Sequence, residues 1–465
     1  LMEHHLLTAT ELCLWYVDRI QRYDANALRS VLELNPDLLP IAAALDDQWR
    51  TGAPRGRLHG IPVLLKDTIG TGDQLHTTAG AAALADARSD RDALLVRALR
   101  EEGAIILGKA NMSEWSYWMA ASAPSGYSAL GGQTLGPYGV DPWGSSTGSG
   151  VAATANFATL TVGCETAGSI IAPSCRNSIV GMYPTTGLVS RDRVIPLCEF
   201  LDSLGPMCRT VRDAAELLTV IATPFDDHDL AGLEARTLHG LDFTERLDRD
   251  ALRGKRLRFL PTPETSGMGL VPVANFYGLG PAITALQDAG ATVVMVPGWN
   301  FGPAGFVETT VNWSFRRNLN AYLSETGAPV RTLREIIAFN TQDPATNARY
   351  GQERLIWADN TRVRAEDAAA AQVRSQRSAR AMIDTPLRDL NLDALVGIDN
   401  VQSLIYPYAG YPAVTVPAGL VNGRVPHGIT FIGGFPQDAA MLAYAYAFEQ
   451  ASKMRVMPKL TPPTA

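Results

Sequence analysis

The feature that most constrains this chain is the stretch 144–169, in which two turns rich in glycine and serine flank a short run of small apolar residues. The first turn reads GSSTGSG from Gly144, and the second reads GCETAGS from Gly163. Between them, residues 151–158 predict one short buried helix and residues 159–162 predict a strand. A helix and a strand of this length would bring the two turns together.

The turns favour a nucleophile held beside backbone donors. Glycine lets the main chain turn sharply and approach a ligand closely, so N–H groups can surround a reacting oxygen. A serine hydroxyl is a weak nucleophile unless a base lies beside it. None of the seven histidines lies in or beside either turn, so a lysine has to be considered as the base.

Lys66 is the candidate base, because it ends the apolar run 61–65. If the side chain is buried, its pKa falls and the neutral amine can accept a proton. The alternative is a lysine at the end of a strand with its ammonium group in solvent.

Other polar groups near the turns compete for these roles. Ser146 and Ser149 are alternative hydroxyls in the first turn, and we expect them to cap the helix that follows. Cys164 and Cys175 lie on either side of Ser169 along the chain, and we expect both to be small buried filler. The five cysteines are an odd number with no close pairing pattern, which argues against a disulfide scaffold.

The rest of the chain predicts an α/β fold. Two strand–helix–strand units, 61–107 and 257–296, indicate parallel pairing. Further strands are expected at 394–396, 413–416 and 429–432. Further helices are expected at 10–23, 306–324, 333–339, 352–383 and 439–452. We therefore predict one twisted, mixed and mostly parallel sheet with helices on both faces, in a single domain that spans 1–465.

Composition argues against nucleic acid as a partner, against a membrane span and against secretion. The net charge of −7 offers no electrostatic basis for binding nucleic acid. No run of 18 or more apolar residues predicts a membrane span, and the first residues lack the apolar core of a signal peptide. We expect a cytoplasmic protein; because the chain does not begin with Met, a removed leader is the alternative.

Three segments together resemble the amidase signature family: GIPVLLKD from Gly60, GSSTGS from Gly144 and ETAGSI from Glu165. Further landmarks of that family, such as GAIILGKANMSEW from Gly103 and GYPAVTVP from Gly410, make the resemblance nearly end to end. It implies the amidase signature fold, with a core at 60–220, a helix-rich substrate-shaping region at 221–390, and C-terminal strands and a helix at 391–465.

The resemblance also implies roles for single residues. Lys66, Ser145 and Ser169 would form a Ser–Ser–Lys triad, in which Ser145 follows a cis peptide bond and relays a proton from the nucleophile Ser169. Ser146 would support the triad. The oxyanion hole would consist of the backbone amides of Thr166, Ala167, Gly168 and Ser169. Neither a metal nor an organic cofactor is expected.

Substrate choice rests on local similarity. Residues 331–340 and 350–353 are similar to the peptide amidases, which predicts a peptide C-terminal amide or similar neutral carboxamide as substrate and ammonia as product. Ile171 stands where many members of the family carry Arg, which disfavours an acidic substrate. The segment 397–404 departs from the Pro-Thr turn that is common at this place.

Three alternatives remain at this level. The same triad could form amides, with an amine in place of water. A glutaminase subunit of a transfer-RNA-dependent amidotransferase, which would need partner subunits, is disfavoured by Ile171. A catalytically inactive binding scaffold of the same fold is disfavoured by the intact Lys66, Ser145 and Ser169. The expected assembly is a monomer or homodimer.

Overall fold

An eleven-stranded mixed sheet organises the protein in the computed structural model, which describes residues 1–222, 224–260, 280–295 and 307–461. Its strands are β1 (Val31–Leu34), β2 (Pro62–Lys66), β3 (Ile105–Ala110), β6 (Leu160–Glu165), β7 (Val180–Tyr183), β8 (Ser203–Cys208), β9 (Arg256–Phe259), β10 (Thr292–Met295), β11 (Ala394–Ile398), β12 (Ala413–Val421) and β13 (Val425–Ile432). They lie in the order β1-β3-β2-β6-β8-β7-β12-β13-β11-β9-β10. Two short strands, β4 (Tyr127–Ser128) and β5 (Gly132–Gln133), form a separate hairpin.

Helices cover both faces of the sheet. The described helices are α1 (Ala9–Tyr23), α2 (Leu38–Arg50), α3 (Leu94–Glu101), α4 (Thr147–Thr154), α5 (Ile171–Arg176), α6 (Val211–Ile221), α7 (Gly232–Ala235), α8 (Gly280–Asp288), α9 (Asn312–Glu325), α10 (Leu333–Gln342), α11 (Pro344–Asn347), α12 (Glu353–Asn360), α13 (Ala365–Asp389), α14 (Tyr406–Ala409) and α15 (Asp438–Ser452). The predicted single α/β domain with a mixed sheet and helices on both faces is confirmed.

Both predicted strand–helix–strand units are present. Strands β2 and β3 pair in parallel, with Val63 opposite Ile106, and α3 connects them. Strands β9 and β10 also pair in parallel. The remaining parallel ladders join β2 to β6 and β11 to β9. The ladder between β1 and β3 and those across the centre of the sheet, from β6 to β11, are antiparallel, so the sheet is mixed rather than mostly parallel.

Alternation along the strands decides which side chains share a face. Val63 and Leu65 of β2 belong to the core under α3 and α6, whereas Leu64 packs with α1, α2 and α4 on the opposite face. Because successive side chains of a strand point to opposite faces, Lys66 lies on the same face as Leu64. On β6, Val162 and Cys164 join the α3–α6 core, so Glu165 lies on the same face as Lys66.

The helix between the two Gly-Ser turns begins earlier than predicted. Helix α4 starts at Thr147, includes Gly148 and Gly150, and ends at Thr154. A Cβ on Gly148 would lie 2.3 Å from the carbonyl oxygens of both Asn111 and Ser30. Close packing on these backbones therefore outweighs the low helix propensity of glycine.

The predicted helical region 352–383 is mostly helical, but it consists of two helices, α12 and α13, with a break between them. The arginine Arg316 donates to the carbonyls of Asp359 (3.0 Å) and Thr361 (3.1 Å) at the end of α12. These bonds satisfy acceptors that a continuing helix would otherwise use. Parts of other predicted elements, at 276–279, 296 and 306, lie outside the described residues.

The connection 399–412 brings a distant part of the chain onto the Lys66 face. Strands β11 and β12 are both antiparallel to β13 and so run parallel to each other. Parallel strands need a crossover connection, which returns over one face of the sheet from the end of the first strand to the start of the second. This crossing carries α14 and passes beside the second Gly-Ser turn.

Two simpler expectations can also be compared with the structure. All five cysteines are buried and unpaired, in line with the absence of a disulfide scaffold. Across the described ranges, we find no helix that has both the length and the apolar character to cross a membrane.

Candidate active site

Lys66 and Ser145 are in direct contact inside the protein. Both side chains are fully buried. The Lys66 Nζ donates to Ser145 Oγ at 2.7 Å and to the Cys164 carbonyl at 3.0 Å. The alternative of a solvent-exposed lysine is therefore wrong. The peptide bond between Gly144 and Ser145 is cis.

The hydroxyl of Ser146 binds the adjacent strand rather than capping α4. It donates to the Cys164 carbonyl at 3.0 Å and accepts from the Cys164 amide at 3.2 Å. Ser149 likewise donates to the Val162 carbonyl at 3.1 Å. The predicted capping roles of Ser146 and Ser149 are wrong, because the strand beside the helix offers buried carbonyls that also need donors. Ser146 shares the Cys164 carbonyl with Lys66.

The turn that carries Ser169, residues 166–170 and hereafter the Ser169 turn, folds back over the same face. The Ser146 amide donates to the Ser169 carbonyl at 3.2 Å, which links it to the first turn. Ser169 is 6% exposed, whereas Ser145 is 0% exposed, so the Ser169 side chain is the more accessible of the two. The structure thus joins Lys66 to Ser145 directly and joins Ser169 to them through the main chain.

The carboxylate of Glu165 organises the Ser169 turn. One oxygen, Oε1, accepts from the Gly168 amide at 2.7 Å and from the Tyr406 hydroxyl at 2.6 Å. The other, Oε2, accepts from the amides of Ile170 at 2.7 Å and Ile171 at 3.0 Å. The amides on both sides of Ser169 are therefore bound to one buried side chain.

This arrangement decides which amides remain for an oxyanion. Gly168, which the resemblance placed in the oxyanion hole, gives its amide to Glu165 instead. The amides of Ala167 and Ser169 donate to no protein atom in the described part of the chain. Thr166 is held by its side chain, which donates to Asp202 at 2.5 Å. Ala167 is the exposed residue of the turn.

Sequence reasoning missed Glu165, Asp202 and Tyr406 as parts of this site. Glu165 carried a signal, because a carboxylate that ends an apolar strand before a glycine turn needs donors when buried. Asp202 and Tyr406 carried none, because their contacts depend on how distant segments pack. Asp202 also accepts from the amides of Leu197 and Cys198, both at 2.8 Å.

Burial sets the protonation of the lysine. It lowers the pKa of Lys66 to about 8, although the nearby carboxylates Asp202 and Glu165 oppose the shift. Burial also raises the pKa of Glu165, against the hydrogen bonds that stabilise its ionised form. The pKa of Cys164 is raised to about 12 by burial, which leaves it a neutral thiol and fits the prediction of buried filler. A lysine with this pKa can exchange a proton near neutral pH.

Known proteins share both sequence and structure with this chain. The family model described as Amidase matches residues 11–237. A protein of Arabidopsis thaliana named a probable amidase is 37% identical, with 97% of this chain and 88% of the relative covered. The peptide amidase of Stenotrophomonas maltophilia is 40% identical with a TM-score of 0.91, covering 99% of this chain and 96% of that one. An amidase family protein of Bacillus anthracis is 38% identical with a TM-score of 0.92, covering 98% and 90%.

Fold and relatives together define the class of protein: a hydrolase that acts on C–N bonds of linear amides. The chain belongs to the amidase signature family.

The buried lysine predicts a specific dependence of stability on pH. The pKa of Lys66 is about 8 in the folded protein, whereas a lysine in an unfolded chain has its ordinary pKa of 10.5. The unfolded chain therefore binds more protons between these pH values. Stability due to Lys66 therefore rises with pH. The free energy of unfolding of the natural protein, minus that of Lys66→Met, should increase by about 2.5 kcal/mol between pH 7 and pH 10. Urea unfolding at both pH values measures it; an unchanged difference would mean that Lys66 titrates normally.

Proposed function

We propose that the protein hydrolyses a neutral carboxamide, a peptide C-terminal amide or a similar compound, to the acid and ammonia. The observation that carries this proposal is the buried contact of 2.7 Å between Lys66 Nζ and Ser145 Oγ, beside a turn that presents Ser169. In this proposal Ser169 is the nucleophile, Ser145 relays protons and Lys66 is the base.

Acylation begins with neutral Lys66. One N–H of the amine donates to the Cys164 carbonyl, which leaves the lone pair to accept the proton of Ser145. As Ser145 loses that proton it takes the proton of Ser169, whose Oγ forms a bond to the amide carbon. The carbonyl π electrons move to oxygen and give a tetrahedral oxyanion.

Collapse of the oxyanion breaks the C–N bond. The proton held on Lys66 returns through Ser145 to the leaving nitrogen, so a primary amide releases ammonia and leaves an ester on Ser169. Water then attacks the ester, passes a proton to Lys66 along the same route, and the proton returns to Ser169 as the acid departs.

The oxyanion requires donors that are already in place. We assign this role to the amides of Ala167 and Ser169, which have no protein acceptor in the described ranges, with Thr166 as a third candidate. The amide of Gly168 would contribute only if it left Glu165. One such donor contributes on the order of 3 kcal/mol to transition-state stabilisation.

Two observations support a neutral substrate. The side chain of Ile171 is fully buried in an apolar core, so this position offers no cation for a substrate carboxylate. The resemblance in sequence and fold to a peptide amidase, 40% identical, supports a peptide amide as the class.

The relay predicts unequal effects of two neighbouring serines. Ser145→Ala removes the hydroxyl that contacts Lys66 Nζ and that relays the proton of Ser169 in this proposal, so kcat should fall about 1000-fold or more. Ser149→Ala, the matched control, loses one bond to Val162 and should change kcat less than about threefold. Steady-state kinetics and circular dichroism of both variants provide the comparison. Equal losses would reassign the relay.

The base predicts the pH profile. Since Lys66 must be neutral in the resting enzyme and burial lowers its pKa to about 8, kcat/KM should rise with pH through that value and fall below it. Lys66→Arg, which stays protonated, should be inactive throughout. A profile for the natural enzyme that is flat from about pH 6 to pH 9 would contradict lysine as the base.

The substrate class can be tested with a panel. Peptide C-terminal amides, aryl amides, fatty amides and esters are offered, and acid, amine and ammonia are followed by mass spectrometry. We expect acid and ammonia from the peptide amides, and none with Ser169→Ala. Acid from esters alone would overturn the proposal. A further arm with a free amine would reveal amide formation as the competing activity.

A further inference from the structure

A contact between two distant segments holds the Ser169 turn. Tyr406 opens α14 on the connection 399–412 and is fully buried. Its hydroxyl donates to Glu165 Oε1 at 2.6 Å. Within the described part of the chain, the Tyr406 hydroxyl makes no hydrogen bond to Ser145 or Lys66, so its effect on the site must pass through Glu165.

We infer that Tyr406 is a positioning residue for the nucleophile: its hydroxyl fixes the Glu165 carboxylate, which fixes the amides on both sides of Ser169. The inference rests on the proposed function, because it takes Ser169 as the nucleophile. Nothing in the sequence motifs points to Tyr406, which lies 241 residues from Glu165.

The hydrogen bonds of Glu165 form a complete set. The side chain accepts four bonds, two on each oxygen, which is the pattern of an ionised carboxylate. Without the Tyr406 hydroxyl, Oε1 keeps only the Gly168 amide. A buried carboxylate short of one donor gains from rotating or taking up a proton, and either change loosens the turn.

The same connection also touches the turn from the other side. Gly168 has a φ of +91°, and a Cβ there would lie 2.9 Å from Asn400 Nδ2 and 3.2 Å from Ser403 Cβ. The Ser169 turn is thus enclosed between Glu165 and the segment 400–403. The segment 400–403 and Tyr406, which binds Glu165, both belong to the connection 399–412.

A neighbouring tyrosine supplies a matched control. The rings of Tyr183 and Tyr406 are 5.3 Å apart at an interplanar angle of 65°, and both side chains are fully buried. The Tyr183 hydroxyl, however, lies 2.8 Å from Thr186 Oγ1 and donates to the Leu201 carbonyl at 2.7 Å. Its removal costs a similar buried hydrogen bond and leaves Glu165 untouched.

The test compares Tyr406→Phe with Tyr183→Phe in the full chain. The rate of labelling by a fluorophosphonate probe needs no knowledge of the substrate, and kcat and KM follow on the best amide of the panel. Tyr406→Phe should slow labelling and lower kcat about tenfold or more while KM changes less than about twofold. Tyr183→Phe should leave the labelling rate and kcat within about twofold. Thermal unfolding shows whether the two variants lose similar stability.

A double-mutant cycle with Glu165→Gln establishes the route of the effect. If Tyr406 acts through Glu165, the Tyr406→Phe change should have little further effect on kcat in the Glu165→Gln background. An undiminished effect there, or equal losses of kcat in the two tyrosine variants, would overturn the inference. Because the charge of Glu165 raises the pKa of Lys66, a Glu165 that takes up a proton in Tyr406→Phe should move the midpoint of the pH profile down, and a Glu165 that only rotates should leave it in place. An upward shift would place the effect on the base and overturn the inference.

The outcomes separate this inference from the proposed function. If Ser169→Ala labels like the natural enzyme, the role of Ser169 fails. If Ser169→Ala abolishes labelling while Tyr406→Phe labels normally, only the positioning role fails.

Discussion

The geometry of the site depends on the burial of the Lys66 amine beside two hydrogen-bond acceptors. Lys66 Nζ lies between Ser145 Oγ and the Cys164 carbonyl, with no solvent exposure. Loss of hydration is what lowers its pKa, and the neighbouring carboxylates only moderate the change. The strand β2 must therefore lie deep in the sheet, and strand alternation must direct residue 66 to the face that carries α4. The positions of β3 and β6 on either side of β2 satisfy both requirements.

Main-chain bonds do much of the remaining positioning. The Cys164 carbonyl serves Lys66 and Ser146 together, and the Ser146 amide binds the Ser169 carbonyl. Such bonds depend on backbone course more than on side-chain identity, which explains why small residues dominate both turns. Glycines at 148 and 163 leave room for packing that any Cβ would obstruct.

Sequence patterns predicted the fold well where the signal was local. Apolar strands bounded by turns gave β2, β3, β9 and β11 to β13, and the capping box of Thr8 and Glu11 accompanies the predicted first helix. The break between α12 and α13 was missed, because it depends on Arg316 from a different helix. In the site, the contact of Lys66 with Ser145 followed the expectation from motifs, whereas the partners of the Ser146, Ser149 and Gly168 groups did not. The hydrogen-bond acceptors of those groups lie in other segments, which come within reach only in the folded chain.

The crossing connection 399–412 is synthesised much later than the other segments of the site. The family model matches residues 11–237, which include both serine turns and Lys66, yet Tyr406 completes the hydrogen bonds of Glu165 from a segment made much later. On a ribosome, the motif-bearing part emerges long before β11 and β12 exist to carry that connection. A chain still being synthesised therefore lacks the bond from Tyr406 to Glu165, which can form only when the C-terminal strands have joined the sheet.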